Sequence, residues 1–275
     1  TNAPYILSKA RKGFRMGHAD VKDHMFLDGL EDAYEEGKLM GSFAEDTAEH
    51  YQFTREQQDN FAITSLERAK KANEDGTFES EIVPIKVLNR KNEIIINKDE
   101  QPFKSDITKI PTLKPAFRKN GTVTAANSSS ISDGASSVIL MLESEAQKRG
   151  IKPLARIIDH STNSQEPKWF TTAPIGAIEK VLEKSGWKKT DVDLFEVNEA
   201  FAVVPMAVMK DIGISNDILN IYGGACALGH PVGASGARIV TTLINALKKN
   251  NLKKGVASLC IGGGEATALT LEIIN

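Results

Sequence analysis

Three side chains in the second half of the sequence are of types that can transfer protons or bind an oxyanion. Asn198 follows one apolar run, His230 lies in a glycine-rich loop, and Cys260 is near the end of a second apolar run. Histidine is the side chain best suited to proton transfer near neutral pH. A thiol can exchange protons where its neighbours set its pKa. The pattern indicates acid–base chemistry if the three loops meet.

The loop around the histidine, residues 223–236, contains five glycines. Its spacing, Gly229-x3-Gly233-x2-Gly236, matches neither the dinucleotide fingerprint nor the phosphate-binding loop, which requires Gly-Lys-Ser/Thr. Neither NAD nor nucleoside triphosphate binding is therefore expected. Glycines let a backbone approach a ligand closely. On this pattern alone, a functional His230 and an ordinary core or surface histidine remain equally open.

The other two side chains also have plain structural explanations. Asn is among the best N-cap residues, so Asn198 could simply begin a helix. A cysteine on an apolar run is usually a small buried hydrophobe. However, glycines 262–264 follow Cys260 closely, and backbone N–H groups there could bind an oxyanion. Cys226, His230 and Cys260 supply three ligands at most and fit no structural zinc spacing, so no metal is expected.

The elements that must position these loops alternate along the second half. Predicted strands cover residues 154–159, 192–197, 218–222, 256–261 and 267–274, with helices from Thr172 to Gly186, after Asn198 and after the glycine-rich loop. Alternation of this kind predicts an α/β fold: a mostly parallel sheet covered on both faces, with an antiparallel last pair. In such sheets ligands bind beyond the carboxyl ends of the strands.

The first half is predicted to be helical and then irregular. One helix is expected from a cap at Asp20 to Lys38, and another from a capping box at residues 54–57 to a stop at Gly76. A short strand is predicted at 81–88, with its proline near an edge. Residues 91–119 contain three prolines and are predicted to cross the surface.

Composition excludes several classes of protein. With 275 residues, 41% hydrophobic, 25% charged and a net charge of −2, the chain is neither disordered nor collagenous, and no overall field attracts nucleic acid or an anionic membrane. Two cysteines make no disulfide framework, so a reducing, cytoplasmic location is expected, with a mitochondrial one as alternative. No apolar run is long enough to predict a membrane-spanning helix.

Taken together, the three loops resemble the thiolase family. The matching segments are Asn-Glu-Ala-Phe-Ala (198–202), the glycine-rich loop extended to Arg238, and Cys-Ile-Gly-Gly-Gly (260–264), with residues 121–129, 133–135 and 40–41 also fitting. The resemblance runs from Thr1 to Asn275 and is nearest to the acetyl-CoA acetyltransferases. It implies a layered αβαβα fold and a reversible Claisen condensation of two acetyl-CoA to acetoacetyl-CoA and coenzyme A.

The resemblance also implies roles for the site residues. His230 would accept the proton of the acyl-carrying thiol, and Cys260 would remove the α-proton of the second acetyl-CoA. A water held by Asn198 and the backbone N–H of Gly262 would contribute to two oxyanion holes. The family's acyl-carrying cysteine lies in an N-terminal half-domain, whereas the first cysteine here is Cys226. The chain is therefore expected to lack the segment bearing that nucleophile and to be inactive alone.

Coenzyme A is implied as a substrate, with no separate cofactor; potassium is not expected, because the tyrosine used by some relatives aligns near Pro102. The implied contacts are Lys104, Ser105, Asp106 and Lys109 near the nucleotide, and Met40, Phe117, Ala125, Ser129, Ala200 and Phe201 near the pantetheine. Lysines suit phosphate as point charges, although each could be an ordinary surface charge. The complete protein is expected to form a homodimer or homotetramer, without nucleic acid or membrane partners.

Three regions are predicted: a coenzyme-binding loop domain at 1–119, the remainder of the N-terminal half-domain at 120–150, and a complete C-terminal half-domain at 151–275. Without sheet partners, residues 120–150 would expose an aggregation-prone edge. Two other functions stay open. One is a non-catalytic coenzyme A-binding or scaffold module, because no acyl-accepting cysteine precedes the histidine loop. The other is a 3-ketoacyl-CoA thiolase preferring longer chains.

Overall fold

The computed structural model describes residues 3–89 and 92–274. Its strands are β1 (Tyr5–Ile6), β2 (Lys22–Asp23), β3 (Ile85–Asn89), β4 (Asn92–Ile96), β5 (Ala155–Ser164), β6 (Leu194–Val197), β7 (Lys254–Ile261) and β8 (Glu265–Ile273). Its α-helices are α1 (Met40–Tyr51), α2 (Arg55–Glu74), α3 (Gln101–Lys104), α4 (Glu143–Lys148), α5 (Ala173–Ser185), α6 (Val203–Val208), α7 (Ala225–Leu228) and α8 (Ser235–Lys249). None of the helices in these ranges could cross a bilayer.

The sheet that carries the site has the strand order β5-β8-β7-β6. β6 runs parallel to β7, with Val197 opposite Ser258. β8 is antiparallel to both of its neighbours, β7 and β5. The predicted antiparallel last pair is confirmed, but the mostly parallel sheet is wrong. The glycine turn between β7 and β8 is too short for the crossover that a parallel pair needs.

Helices cover both faces of this sheet, as predicted. Val256 packs in the core that includes Ile178 of α5. Its neighbour Ala257 packs instead with Leu243 and Leu247 of α8. Successive residues of a strand point to opposite faces, so β7 is buried on both sides. This double burial explains the continuous apolar run that the sequence shows there.

Helix α2 confirms the predicted capping box. The Gln57 backbone N–H donates to Thr54 Oγ1 at 3.1 Å, and the Thr54 N–H donates to Gln57 Oε1 at 2.9 Å. The helix ends at Glu74, and Gly76 follows in the left-handed region with φ of 77°. Helix α5 likewise ends with Gly186 at φ 67°. These boundaries depend on neighbouring residues only, which is why the sequence predicted them.

The helix predicted from Asp20 to Lys38 is wrong. The segment forms β2, a π-helical turn over Phe26–Leu30, and then irregular backbone. Asp32 accepts hydrogen bonds from the backbone of Tyr34 and Glu35, which closes a local turn. Most of the segment is exposed. Without an apolar face to bury, a helix gains too little to form.

Two other predicted strands change. At 218–222 only Leu219 bridges β6, through Phe195, because Asn220 turns the chain at φ 46°. The strand predicted at 81–88 begins after Pro84 and pairs with β4 as a hairpin, since proline cannot donate a ladder hydrogen bond. The predicted excursion at 91–119 contains β4, α3 and a 3-10 segment over Ile107–Thr112; its first residue lies outside the described residues.

Residues 135–142 form neither helix nor strand. Three of their apolar side chains are largely exposed: Ile139 at 85%, Leu140 at 72% and Leu142 at 76%. Among the described residues, residues 135–142 pair with no strand. The division into three regions stays a prediction.

Candidate active site

Asn198 and His230 meet at the carboxyl end of β6. The side chain of Asn198 is fully buried, and its backbone N–H donates to Ser258 O of β7 at 3.0 Å. Its Nδ2 lies 3.3 Å from His230 Nε2. The alternative that Asn198 caps a helix is wrong, because α6 begins only at Val203. The amide is therefore oriented by the site and not by a helix end.

The histidine loop is held from a distant part of the chain. The His230 N–H donates to Ser130 O at 3.0 Å. Gly229 precedes it with φ of +93°, and a β-carbon there would lie 2.1 Å from Ser132 Oγ. Only glycine fits both the dihedral angle and the space. Residues 130–132 therefore fix where the imidazole enters the site.

The partners of the two ring nitrogens favour a proton on Nδ1 of His230. His230 Nδ1 lies 2.5 Å from Ser235 Oγ. The Ser235 hydroxyl donates to Pro231 O at 3.1 Å, so its oxygen is left to accept from the ring. With the proton on Nδ1, the lone pair of Nε2 faces Asn198. Burial, with the nearby charge of Arg238, lowers the pKa of His230 to about 4. The ring is neutral near pH 7 and can accept a proton at Nε2.

Arg238, on the first turn of α8, contacts the amide of Asn198. Its Nη2 donates to Asn198 Oδ1 at 3.4 Å, which leaves Nδ2 toward the imidazole. Its Nη1 lies 3.7 Å from Glu196 Oε2. Glu196 is 2% exposed, and burial raises its pKa to about 8. No functional role for Arg238 or Glu196 was predicted from sequence; the signal was a charged residue inside the buried strand Leu-Phe-Glu-Val.

Cys260 lies at the same edge of the sheet. It comes two residues after Ser258, whose carbonyl accepts the Asn198 N–H, and it is 7% exposed. Burial raises the pKa of its thiol to about 12. Gly262 follows at the turn, where a β-carbon would lie 3.3 Å from Met40 Sδ. The structure thus brings Met40, predicted as a pantetheine contact, against the predicted oxyanion loop.

Other predicted pantetheine residues adjoin one another. Both the backbone N–H and the hydroxyl of Ser129 donate to Ala200 O at 3.0 Å. The rings of Phe117 and Phe201 meet edge to face, with centroids 6.0 Å apart. Ala125 is exposed in the segment that leads to Ser129. These contacts bring together loops that carry the predicted pantetheine residues.

The predicted nucleotide-end residues lie at the end of α3 and on the segment that follows it. Lys104 pairs with Glu100 at 3.7 Å, and Lys109 pairs with Asp106 at 3.6 Å. The carbonyl of Ser105 accepts from Lys70 at 3.1 Å. Behind them, Ile107 and Ile110 pack against α2 and α7 in one apolar cluster. The segment therefore rests on the glycine-rich loop, while a role in phosphate binding stays a prediction.

Glu199 was missed as a functional residue, and it anchors the glycine-rich loop. Its buried carboxylate accepts from Ser65 Oγ at 2.7 Å, Asn220 Nδ2 at 2.9 Å and the Cys226 N–H at 3.0 Å. A β-carbon on Gly224 would lie 2.3 Å from the Glu199 carboxyl carbon. Burial raises the pKa of the Cys226 thiol well above its ordinary value, and Glu199 adds to that rise. Cys226 is therefore a poor nucleophile.

A cavity of about 540 Å³ lies beside the glycine turn and not at the imidazole. It is lined in part by Asp32, Glu166, Lys168, Gly263 and Glu265. Its mainly acidic wall does not suit the phosphates of a coenzyme. Within the described residues, no group of three acidic, His or Cys side chains could hold a metal ion.

Comparison with known proteins finds matches along the whole chain. The family models for the thiolase N-terminal and C-terminal domains match residues 1–144 and 151–273. The expectation of a missing N-terminal segment is not supported by these matches, because the two models between them cover the chain. The chain spans about two thirds of the length of the curated relatives it matches: 66% of one and 68% of another.

Similar proteins include two eukaryotic acetyltransferases. A probable acetyl-CoA acetyltransferase of Dictyostelium discoideum is 50% identical over 99% of this chain. Acetyl-CoA acetyltransferase 2 of Arabidopsis thaliana is 48% identical over 100% of it. Among solved structures, the acetyl-CoA acetyltransferase of Bacillus anthracis superposes with a TM-score of 0.94 at 43% identity, covering 98% of this chain and 68% of that one. A thiolase of Ascaris suum in complex with coenzyme A gives 0.88 at 38%, covering 99% and 69%. The predicted α/β class of the thiolase type is confirmed.

Proposed function

This chain belongs to the thiolase family, and on that premise we propose that it serves in acyl transfer between acetyl-CoA molecules, forming acetoacetyl-CoA and coenzyme A reversibly. The carrying observation is the meeting of the Asn198 amide with His230 Nε2 at 3.3 Å, at the sheet edge that also holds Cys260. The names of the similar proteins support the same reaction.

In this proposal the buried thiol of Cys260 moves the α-proton. The α-proton of a thioester is weakly acidic, so a strong base must remove it. A thiol whose pKa is raised to about 12 gives a strongly basic thiolate once ionised, and after the transfer it holds the α-proton as a neutral thiol. The backbone N–H of Gly262 would face the developing oxyanion beside it, where one such donor contributes about 10²–10³ in rate.

In this proposal His230 accepts the proton of the acyl-carrying thiol. Its free Nε2 accepts the proton of the acyl-carrying thiol and then becomes a hydrogen-bond donor to the thioester oxygen. The neutral ring is ready for this, because burial keeps its pKa low. The amide of Asn198 faces the same point and would hold a water there. The two groups then stabilise charge that appears only in the transition state.

The proposal assigns neither Cys226 nor Cys260 as the acyl-carrying thiol. Cys226 is placed as a structural residue beside Glu199, and Cys260 is assigned to the α-proton. This arrangement favours a second candidate, a module that binds coenzyme A without acyl transfer. A longer acyl chain is a third, which competition between acetyl-CoA and longer acyl-CoA esters would test. Coenzyme contacts, an oligomeric assembly and a cytoplasmic location remain predictions.

Deuterium exchange at the methyl group of acetyl-CoA in D2O, followed by 1H NMR, tests the proposal at the α-proton step. It needs no acyl-carrying thiol. We expect exchange with the unchanged chain, loss of exchange in Cys260→Ala and retention in the matched control Cys226→Ala. Coenzyme A binding without exchange would favour the binding module. Exchange that survives Cys260→Ala would refute the assignment of that thiol.

A further inference from the structure

The guanidinium of Arg238 lies beside the Asn198 side chain, on the side of its amide oxygen. Its side chain is only 18% exposed. One nitrogen donates to Asn198 Oδ1, while the other lies 3.7 Å from Glu196 Oε2, on the strand that leads into Asn198. Among the described residues, neither Arg238 Nη1 nor Glu196 Oε2 has a hydrogen-bond partner. Arg238 therefore bridges the site amide to a buried carboxylate.

Arg238 is also the positive centre of a buried acidic cluster. The titratable groups that interact with it are Glu81, Asp99, Glu196, Glu199 and His230. They come from several packed elements, including β6 and the loops before β3 and α3. An isolated guanidinium would not be retained in such a place without carboxylates around it. Of these groups, Glu196 lies 3.7 Å from Arg238 Nη1, while Nη2 faces one side of the Asn198 amide.

We propose that Arg238, anchored by Glu196, is a positioning residue that holds the Asn198 amide with its N–H toward His230 Nε2. An asparagine side chain presents an acceptor on one side and donors on the other, in nearly the same shape. If the amide turned over, Oδ1 would face Nε2 and favour a proton there. Ser235 would then donate to Nδ1, and the proton-accepting lone pair at Nε2 would be lost.

The residue type fits this role. Arginine presents two nitrogens in a fixed fork, so it can contact an amide oxygen and a carboxylate together. Lysine has a single ammonium group on a flexible stem and would hold one of them at a time. The expected effect on catalysis rests on the proposed function, whereas the expected effect on the His230 tautomer does not depend on it.

The test measures the tautomer directly, by 15N NMR of the imidazole nitrogens at pH 7, with His230 assigned from the His230→Gln spectrum. The unchanged chain should carry its proton on Nδ1. Arg238→Met should move the majority of the population to Nε2, and Arg238→Lys should fall between them. Arg68→Met is the matched control: Arg68 is another partly buried arginine, which bonds Leu219 O at 2.8 Å, and its loss should leave the tautomer unchanged.

Arg238→Met leaves Glu196 buried without its partner, so folding is controlled by the double variant Glu196→Gln/Arg238→Met, which removes the guanidinium and the titratable carboxyl together. A folded single or double variant, or Arg238→Lys, that keeps the proton wholly on Nδ1 overturns the proposal. The deuterium-exchange assay involves no acyl-carrying thiol and uses Nε2 only as the donor to the thioester oxygen, so a folded Arg238→Met chain should keep its exchange while its tautomer changes. A tautomer change without any exchange in the unchanged chain would instead refute the proposed function and leave Arg238 as a positioning residue.

Discussion

Replacing Ser235 by alanine isolates the contact that sets the tautomer from its other side. Ser235 is fully buried, its Oγ lies 2.5 Å from His230 Nδ1, and its hydroxyl donates to Pro231 O at 3.1 Å. Alanine removes both contacts, but Pro231 O keeps the backbone N–H groups of Ala234 and Ser235 as donors, so only the imidazole N–H is left unsatisfied. Each unsatisfied group costs about 1–3 kcal/mol. We therefore expect Ser235→Ala to lower the free energy of unfolding by about 1–3 kcal/mol.

Two measurements separate the stability effect from the chemical one. Urea unfolding followed by circular dichroism gives the loss of stability, and imidazole 15N shifts with α-proton exchange give the effect on His230. Without the Ser235 oxygen, the Nδ1 proton loses its acceptor, so both tautomers should be populated. The imidazole also loses a contact that orients it, so exchange should slow by about tenfold, the effect of about 1.4 kcal/mol.

The matched control is Ser161→Ala. Ser161 is also buried, and its hydroxyl donates to Ala177 O at 2.6 Å, away from the imidazole. It should lose comparable stability with no change at His230. A Ser235→Ala chain with unchanged imidazole shifts and an unchanged exchange rate would refute the assignment of the proton to Nδ1.

Three further predictions concern groups in and below the site. His230→Ala should abolish most α-proton exchange while thermal unfolding stays cooperative; a near-normal rate would remove His230 from the reaction. Folding lowers the pKa of His230 from 6.5 to about 4, so between these pH values the unfolded chain binds a proton that the folded chain does not. The free energy of unfolding should therefore fall by up to about 3 kcal/mol as the pH drops through that interval. Urea denaturation of His230→Gln between pH 7 and 4 should show a smaller loss of stability than the unchanged chain. Glu196 has the opposite sign: its pKa rises from 4.5 to about 8, so its contribution is favourable below pH 4.5 and lost as pH rises toward 8. Glu196→Gln should therefore lessen the loss of stability between pH 5 and 8, and an unchanged urea midpoint profile would contradict the burial of a charge there.

Elements with local causes were predictable from the sequence. The capping box at Thr54 and the end of α5 at Gly186 depend on residues within one helical turn. The loops that carry Asn198, His230 and Cys260 were found because residue type and spacing are sequence properties. The resemblance that these loops carry was also enough to predict the family, and the comparisons confirmed it.

Weak local signals misled where no apolar face could be buried. Asp20 looked like a helix cap, yet the residues after it are mostly exposed and form only short elements. The strand predicted at 218–222 does not form, because the side-chain amide of Asn220 is hydrogen-bonded through both its oxygen and its nitrogen to the backbone of Val197. In both places a packing partner, present or absent, outweighed the local preference.

What the sequence by itself determined, then, was which residues could react and the order in which the loops carry them. Only the tertiary structure decided how those residues are oriented. Ser130 holds His230 across 100 positions of chain, and Arg238 turns the Asn198 amide across 40. Hydrogen-bond direction depends on which donor and acceptor folding brings within about 3 Å. No pattern along one strand or helix encodes that distance.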